Sequence, residues 1–218
     1  MKPAARSGFV ILLSTFAILA LIALPALAYQ YPLSSSDIRN AYLLGYAKDL
    51  NTAGFFTQYV HEFPVPETGP HVAKITLKTP YSQIVELGQS AMNADVQGAE
   101  EEYATKKLPF LVQVGVDLTP TYPDSLTCGP TAPGFPLPDF QRDFPVQLIQ
   151  KDKKIGERST QIYLLYSEGD SNTYEVSGAI IEYRYDPEKI DPDDEMTIAV
   201  QTPDNQDVET TFDLGHLR

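Results

Sequence analysis

The chain has 218 residues, with 16 Lys and Arg against 29 Asp and Glu, a formal net charge of −13 at pH 7 and a hydrophobic content of 43%. So acidic a surface repels nucleic-acid phosphates and anionic lipid head groups, which argues against both as partners, and the apolar content is too high for a disordered chain. Cys128 is the single cysteine, so no internal disulfide forms and stability has to come from the buried core of one ordinary domain.

The first 28 residues have the three-part form of a secretory signal. Lys2 and Arg6 make a basic start, residues 9–24 carry no charge, and Pro25-Ala26-Leu27-Ala28 puts small side chains at the last and third-last positions before Tyr29. The expected product begins at Tyr29 and is exported, periplasmic or secreted. Residues 9–28 also form an uncharged run close to the roughly 20 residues that span a bilayer, so the structural alternative is an uncleaved anchor in the inner membrane, the only membrane contact expected. Without Lys2 and Arg6 the 16 basic residues fall to 14 against the same 29 acidic ones, which deepens the acidity of the remainder.

Residues 29–218 read as a single α+β domain. Ser34 and Asp37 have capping-box spacing before Ile38, Ala41 and Leu44, which predicts a helix over about 35–49. A second helix carries Phe55, Phe56, Tyr59 and Val60 as an apolar stripe, and the two form a helical hairpin ended by Pro64 and Pro66. Ala73, Ile75 and Leu77 alternate with Lys74, Thr76 and Lys78 in a strand over 71–79. Thr79-Pro80 then opens a proline-free stretch to about Lys106, read as one long helix.

Phe110, Val112, Val114 and Val116 mark a mostly buried strand. A proline-rich loop over 118–144 follows, too long for an ordinary connection. Beyond it the pattern is uniformly β, with strands expected at 146–150, 160–166, 174–185, 197–201 and 208–212, the last two joined by a tight turn at Thr202-Pro203-Asp204-Asn205. The helical part thus covers about 34–106 and the β-rich part about 108–213. The expected architecture is a helical hairpin and one long helix packed on an antiparallel β-sandwich, immunoglobulin-like or similar.

Three clusters carry candidate chemistry. His61, Glu62 and His71 contain the residue types of a zinc site, but the second His follows the first by ten residues with prolines between, so they cannot share one helical face as a zinc peptidase requires. Ser125-Leu126-Thr127-Cys128 resembles the end of the sortase signature, in which a cysteine nucleophile follows a threonine. The resemblance covers those four residues, and Gly129-Pro130 continues as loop where sortases continue as barrel strands, so no family site is carried onto this chain. On its own chemistry, Cys128 with His71 as base and Arg142 as oxyanion partner would make a cysteine-dependent hydrolase or transpeptidase. Asp186, Glu188, Asp191, Asp193, Asp194 and Glu195 crowd one inter-strand turn, where Asp191, Asp193, Asp194 and Glu195 are the residues for a calcium site or else a solvated acidic turn.

No phosphate-cradling glycine loop and no serine elbow is present. The reading favoured is a non-catalytic, exported binding or envelope-associated module. Its recognition surface is placed on the proline-rich loop, where Tyr122, Phe135, Phe140 and Phe144 offer rigid apolar area to a protein, a peptide or a glycan; the alternative is that these aromatics plug the open end of the sandwich. N-terminal sequencing of the exported product tests the leader: a first residue of Tyr29 is expected, and recovery only of membrane-bound protein beginning at Met1 would establish the anchor instead.

Overall fold

The computed structural model describes residues 29–64, 71–90, 95–118, 139–168 and 174–218. Ser34 opens α1 (Ser35–Ala47) with the expected capping box, its hydroxyl accepting from the Asp37 amide and the Asp37 carboxylate accepting from the Ser34 amide. Asp49 accepts from the Asn51 and Thr52 amides and starts α2 (Leu50–Thr57). The stretch expected as one long helix is two, α3 (Pro80–Ser90) and α4 (Val96–Lys106). Asp95 is the reason on the α4 side: its carboxylate accepts from the Gly98 amide at 2.8 Å, which caps a new helix rather than continuing an old one.

The main partner of α1 is α3 rather than α2. A Cβ added at Gly45 would lie 1.9 Å from the Val85 carbonyl oxygen, and one at Gly88 would lie 2.3 Å from the Tyr42 carbonyl oxygen. The two helices therefore touch backbone to backbone, an approach open only to glycine. Ile38, Ala41, Tyr42, Ile84 and Val85 surround that crossing and, with Ala99 of α4, make a helical core of their own. The aromatic seam expected within the first hairpin is placed differently. Phe55 sits between the helical core and the sandwich core, 4.9 Å from the Tyr59 ring and 5.9 Å from the Tyr81 ring, and Val60 belongs to a strand.

The strands are β1 (Val60–Glu62), β2 (His71–Lys78), β3 (Phe110–Asp117), β4 (Val146–Gln150), β5 (Lys153–Ile155), β6 (Ser159–Glu168), β7 (Tyr174–Tyr185), β8 (Glu195–Gln201) and β9 (Asp207–Asp213), with the short helix α5 (Phe140–Asp143) before β4. They form two antiparallel sheets, one in the order β1-β2-β3-β7-β6 and the other in the order β5-β4-β8-β9. The fold is α+β with a β-sandwich. The five strands expected in the second half are all present, whereas β1 and β5, of three residues each, were not anticipated.

Val112, Val114 and Val116 of β3 and Ile181, Tyr183 and Tyr185 of β7 face Leu148, Met196, Ile198 and Val200 of the smaller sheet across a closed core. Gly178 lies so near β3 that a Cβ there would be 2.3 Å from the Val116 carbonyl oxygen. The β4–β5 hairpin turns through Lys151 and Asp152, both with positive φ, the pair of left-handed residues a two-residue hairpin needs. Between β8 and β9 the Asn205 amide donates to the Thr202 carbonyl at 2.9 Å, closing the turn expected there.

The glycine crossing gives a sharp contrast. Gly45→Ala or Gly88→Ala forces α1 and α3 apart and should cost about 3 kcal/mol or more, at the top of the range for overpacking. Gly54→Ala, on α2 with nothing within 4 Å of the added carbon, should stabilise by about 0.5–1 kcal/mol through helix propensity. Denaturant melts of the three variants read both signs.

Candidate functional site

The described residues among those singled out from sequence do not converge. Cys128, Tyr122, Phe135 and residues 1–28 lie outside the described residues. His71 begins β2 and is buried, with neither ring nitrogen hydrogen-bonded and its Nε2 3.7 Å from Asp117 Oδ2 across the strand pair. His61 and Glu62 lie on β1, where His61 packs on Phe63 rather than on a helix surface. Arg142 is on α5, paired with its neighbour Asp143. Phe140 and Phe144, placed by sequence on a recognition loop, are wholly inside the sandwich core, with ring centroids 6.4 Å apart. Fully buried, they leave no surface to a partner.

The acidic turn is tied to β4. Gln150 donates from Nε2 to the Asp191 carbonyl at 2.7 Å and accepts from the Asp191 amide at 2.9 Å, tying the turn to the strand. Asp191 is held below the usual carboxylate range by its ion pair with Lys151 and then by the Asp193 amide, and the same pair raises the Lys151 ammonium. Asp194 keeps one carboxylate oxygen buried without a hydrogen-bond partner. Among the described residues, no three His, Cys, Asp or Glu side chains come together as a metal site.

What the structure does present, among the described residues, is an open strand edge. The two sheets have four edges, and three carry the usual protection against pairing with another chain. The edge strands β1 and β5 are three residues long and charged, and β9 carries Asp207, Glu209 and Asp213. The fourth edge, β6, is ten residues long, contains neither lysine nor proline, and among the described residues pairs with β7 alone. Residues 159–167 carry no charge at all.

Both faces of β6 are apolar. Ile162 and Leu164 stand opposite the buried Ile181 and Ala179, and Tyr163 and Leu165 stand opposite Ile180 and Gly178 on the outer face. An edge strand with one wet face would alternate; this one does not. Of the eight exposed large apolar side chains among the described residues, five are here: Ile162, Tyr163 at 47% exposure, Leu165, Tyr166 at 51% and Tyr174 at 59%.

A chain of side-chain hydrogen bonds holds the outer face in place. Gln113 on β3 donates to Glu182 on β7 at 2.8 Å, and Arg184 donates to the other oxygen of Glu182 at 3.0 Å and to Gln161 on β6 at 2.6 Å. Tyr163 donates to the same Gln161 oxygen at 2.8 Å. The Tyr163 ring is therefore oriented before anything binds, which lowers the ordering cost of binding. Five successive large apolar residues, 162–166, were the signal available in the sequence, but they read equally as a central strand.

No family model and no curated protein matches the chain. Among solved structures, IgNAR antibody domain C1 superposes with a TM-score of 0.32 at 10% identity, covering 70% of this chain and 99% of that one. IgNAR antibody domain C3 superposes at 0.29 and 11% identity, covering 68% and 98%. The sandwich assignment rests on the strand pairing itself.

The two sets of aromatics should separate in stability. Phe140→Ala and Phe144→Ala should each cost about 3–5 kcal/mol, as for large rings removed from a core. Tyr163→Ala and Tyr166→Ala should stay within about 0.5 kcal/mol of the parent, as exposed positions do. Urea melts with unchanged slopes measure all four.

Proposed function

We propose that the protein is an exported, non-catalytic binding module that takes an extended segment of a protein partner as an added strand along β6. The single observation that carries this reading is the edge that the described residues leave open: a long strand, uncharged over residues 159–167, with apolar side chains on both faces, in two sheets whose other three edges are protected. Strand addition supplies main-chain hydrogen bonds for affinity and side-chain pockets on alternate positions for selectivity. A peptide backbone fits that edge in a way that neither a nucleic acid nor a glycan does. Tyr163, Leu165, Tyr166 and Tyr174 are the contact residues, with Gln161 and Arg184 orienting the first of them. The leader-like residues 1–28 support action outside the cytoplasm, where a partner segment would be met in extended form.

Site-specific photo-cross-linking in the producing cell tests this. A benzophenone side chain at Tyr166 is expected to form defined protein adducts, one at Glu209 on the charged edge of β9 is expected to form none, and Leu165→Lys should remove the adducts at Tyr166. Equal labelling from both edges, or none from either, would contradict the reading.

A further inference from the structure

The charge pattern around β6 says more about what the edge accepts, on the premise that β6 is a pairing edge. We infer that one occupant is a second copy of this chain, paired antiparallel through β6 about a two-fold axis at Tyr163. An isologous contact places each surface against itself, so an acidic molecule can make one only where the shared strip is free of like charge. Residues 159–167 satisfy that, being uncharged in a chain of net charge −13.

The ends of the strip carry the register. Arg158 stands immediately before β6 and Glu168 is its last residue. Alternation within β6 puts Glu168 on the face that carries Ile162 and Leu164, and Arg158 is the residue just before the strand. With the axis at Tyr163, Arg158 of each copy stands opposite Glu168 of the other, so the strip closes with an opposite-charge pair at both ends. In between, Ile162 stands opposite Leu164, Gln161 opposite Leu165, and the two Tyr163 rings meet on the axis. A parallel arrangement, or an axis displaced to another residue, loses both pairs and sets like charges together or apart.

Arg158 already bonds Asp186 through one terminal nitrogen and stays more than half exposed. Its planar fork has further donors for a second carboxylate. The contact would join two five-stranded sheets into one continuous sheet and cover the exposed side chains of β6 on both faces.

Disulfide trapping reads the axis directly, using the protein as recovered from the cell with Cys128 changed to Ser. In an antiparallel pair, only the residue on the axis faces its own copy within the 4.4–6.8 Å Cα separation a disulfide spans. Tyr163→Cys should therefore give a covalent dimer under mild oxidation. Gln161→Cys and Leu165→Cys, each displaced from its own copy by about 13 Å along the strand, should not do so singly but should do so when combined.

Sedimentation of the disulfide-free protein should show a concentration-dependent dimer. Glu168→Arg should weaken it roughly tenfold, and adding Arg158→Glu should restore it, on the scale of two exposed ion pairs lost and regained. Melting temperatures confirm that each variant is folded; should Arg158→Glu fail beside Asp186, the Tyr163→Cys and Glu168→Arg results alone decide.

A monomer at all concentrations, or trapping that is equal at all three positions, would overturn the dimer. In that case adducts from Tyr166 to a different protein would leave strand addition standing with another occupant, whereas absence of any adduct would remove both.

Discussion

Eight consecutive register pairs join β3 to β7, from Phe110 opposite Tyr185 to Asp117 opposite Gly178, and the rest of the fold hangs on that pairing. The two strands are far apart in sequence, so joining them carries a loop-closure cost that only a large buried area offsets. That area is the sandwich core. Val112, Val114 and Val116 with Ile181, Tyr183 and Tyr185 form an apolar plane, and β4 and β8 close over it with Leu148, Met196, Ile198 and Val200. Each such side chain contributes about 1.5–3 kcal/mol on burial. Gly178 allows the strands their close approach, and Phe140 and Phe144 add their rings to the same core. Helices α1, α3 and α4 form a second core beside the sandwich, joined to it through Phe55, while α5 packs on the start of β6, where Gln141 donates to Thr160 at 3.4 Å.

That arrangement explains where binding capacity is left over. A strand within a sheet has both rows of backbone groups paired, and a strand at an edge has one row open. The short, charged β1 and β5 and the acidic β9 make their open rows unattractive to another chain. At β6 the opposite choice has been made: the strand is long, uncharged over residues 159–167 and apolar on both faces. An edge of that kind is an aggregation hazard in a protein that does not use it. The hydrogen-bonded chain from Gln113 through Glu182, Arg184 and Gln161 to Tyr163 gives the outer face a fixed shape, the kind of rigidity that a recognition surface has and an incidental patch lacks.

Much of the fold was legible in the sequence, for local reasons. Period-two alternation marked β2 and β3, and the strands of the second half fell within a residue or two of their observed limits. The Ser34–Asp37 capping box and the Thr202–Asn205 turn were read from residues that satisfy their own backbone neighbours. What was not legible depended on neighbours distant in sequence. Gly45 and Gly88 fall on the packing faces of their helices, but nothing local to either shows that the two meet at one crossing. Phe140 and Phe144 could be read from sequence as loop aromatics or as core, because proline surrounds them, and only the packing places them inside the core. The run from Ile162 to Tyr166 cannot announce whether it lies in the middle of a sheet or at its rim, since strand order is a property of the whole chain, and so the candidate site was missed.

The claim that β6 is an open edge used for pairing is most directly tested by residue-resolved amide hydrogen exchange. In dilute protein, alternate amides of residues 159–168 should exchange at the rate of exposed loops while those of β7 remain protected, and the same alternate amides should become protected on concentration or in contact with the partner. Protection of every β6 amide in the dilute monomer would show that the chain covers this edge itself, and fast exchange that no concentration or partner slows would show that nothing pairs there; either result would contradict the account.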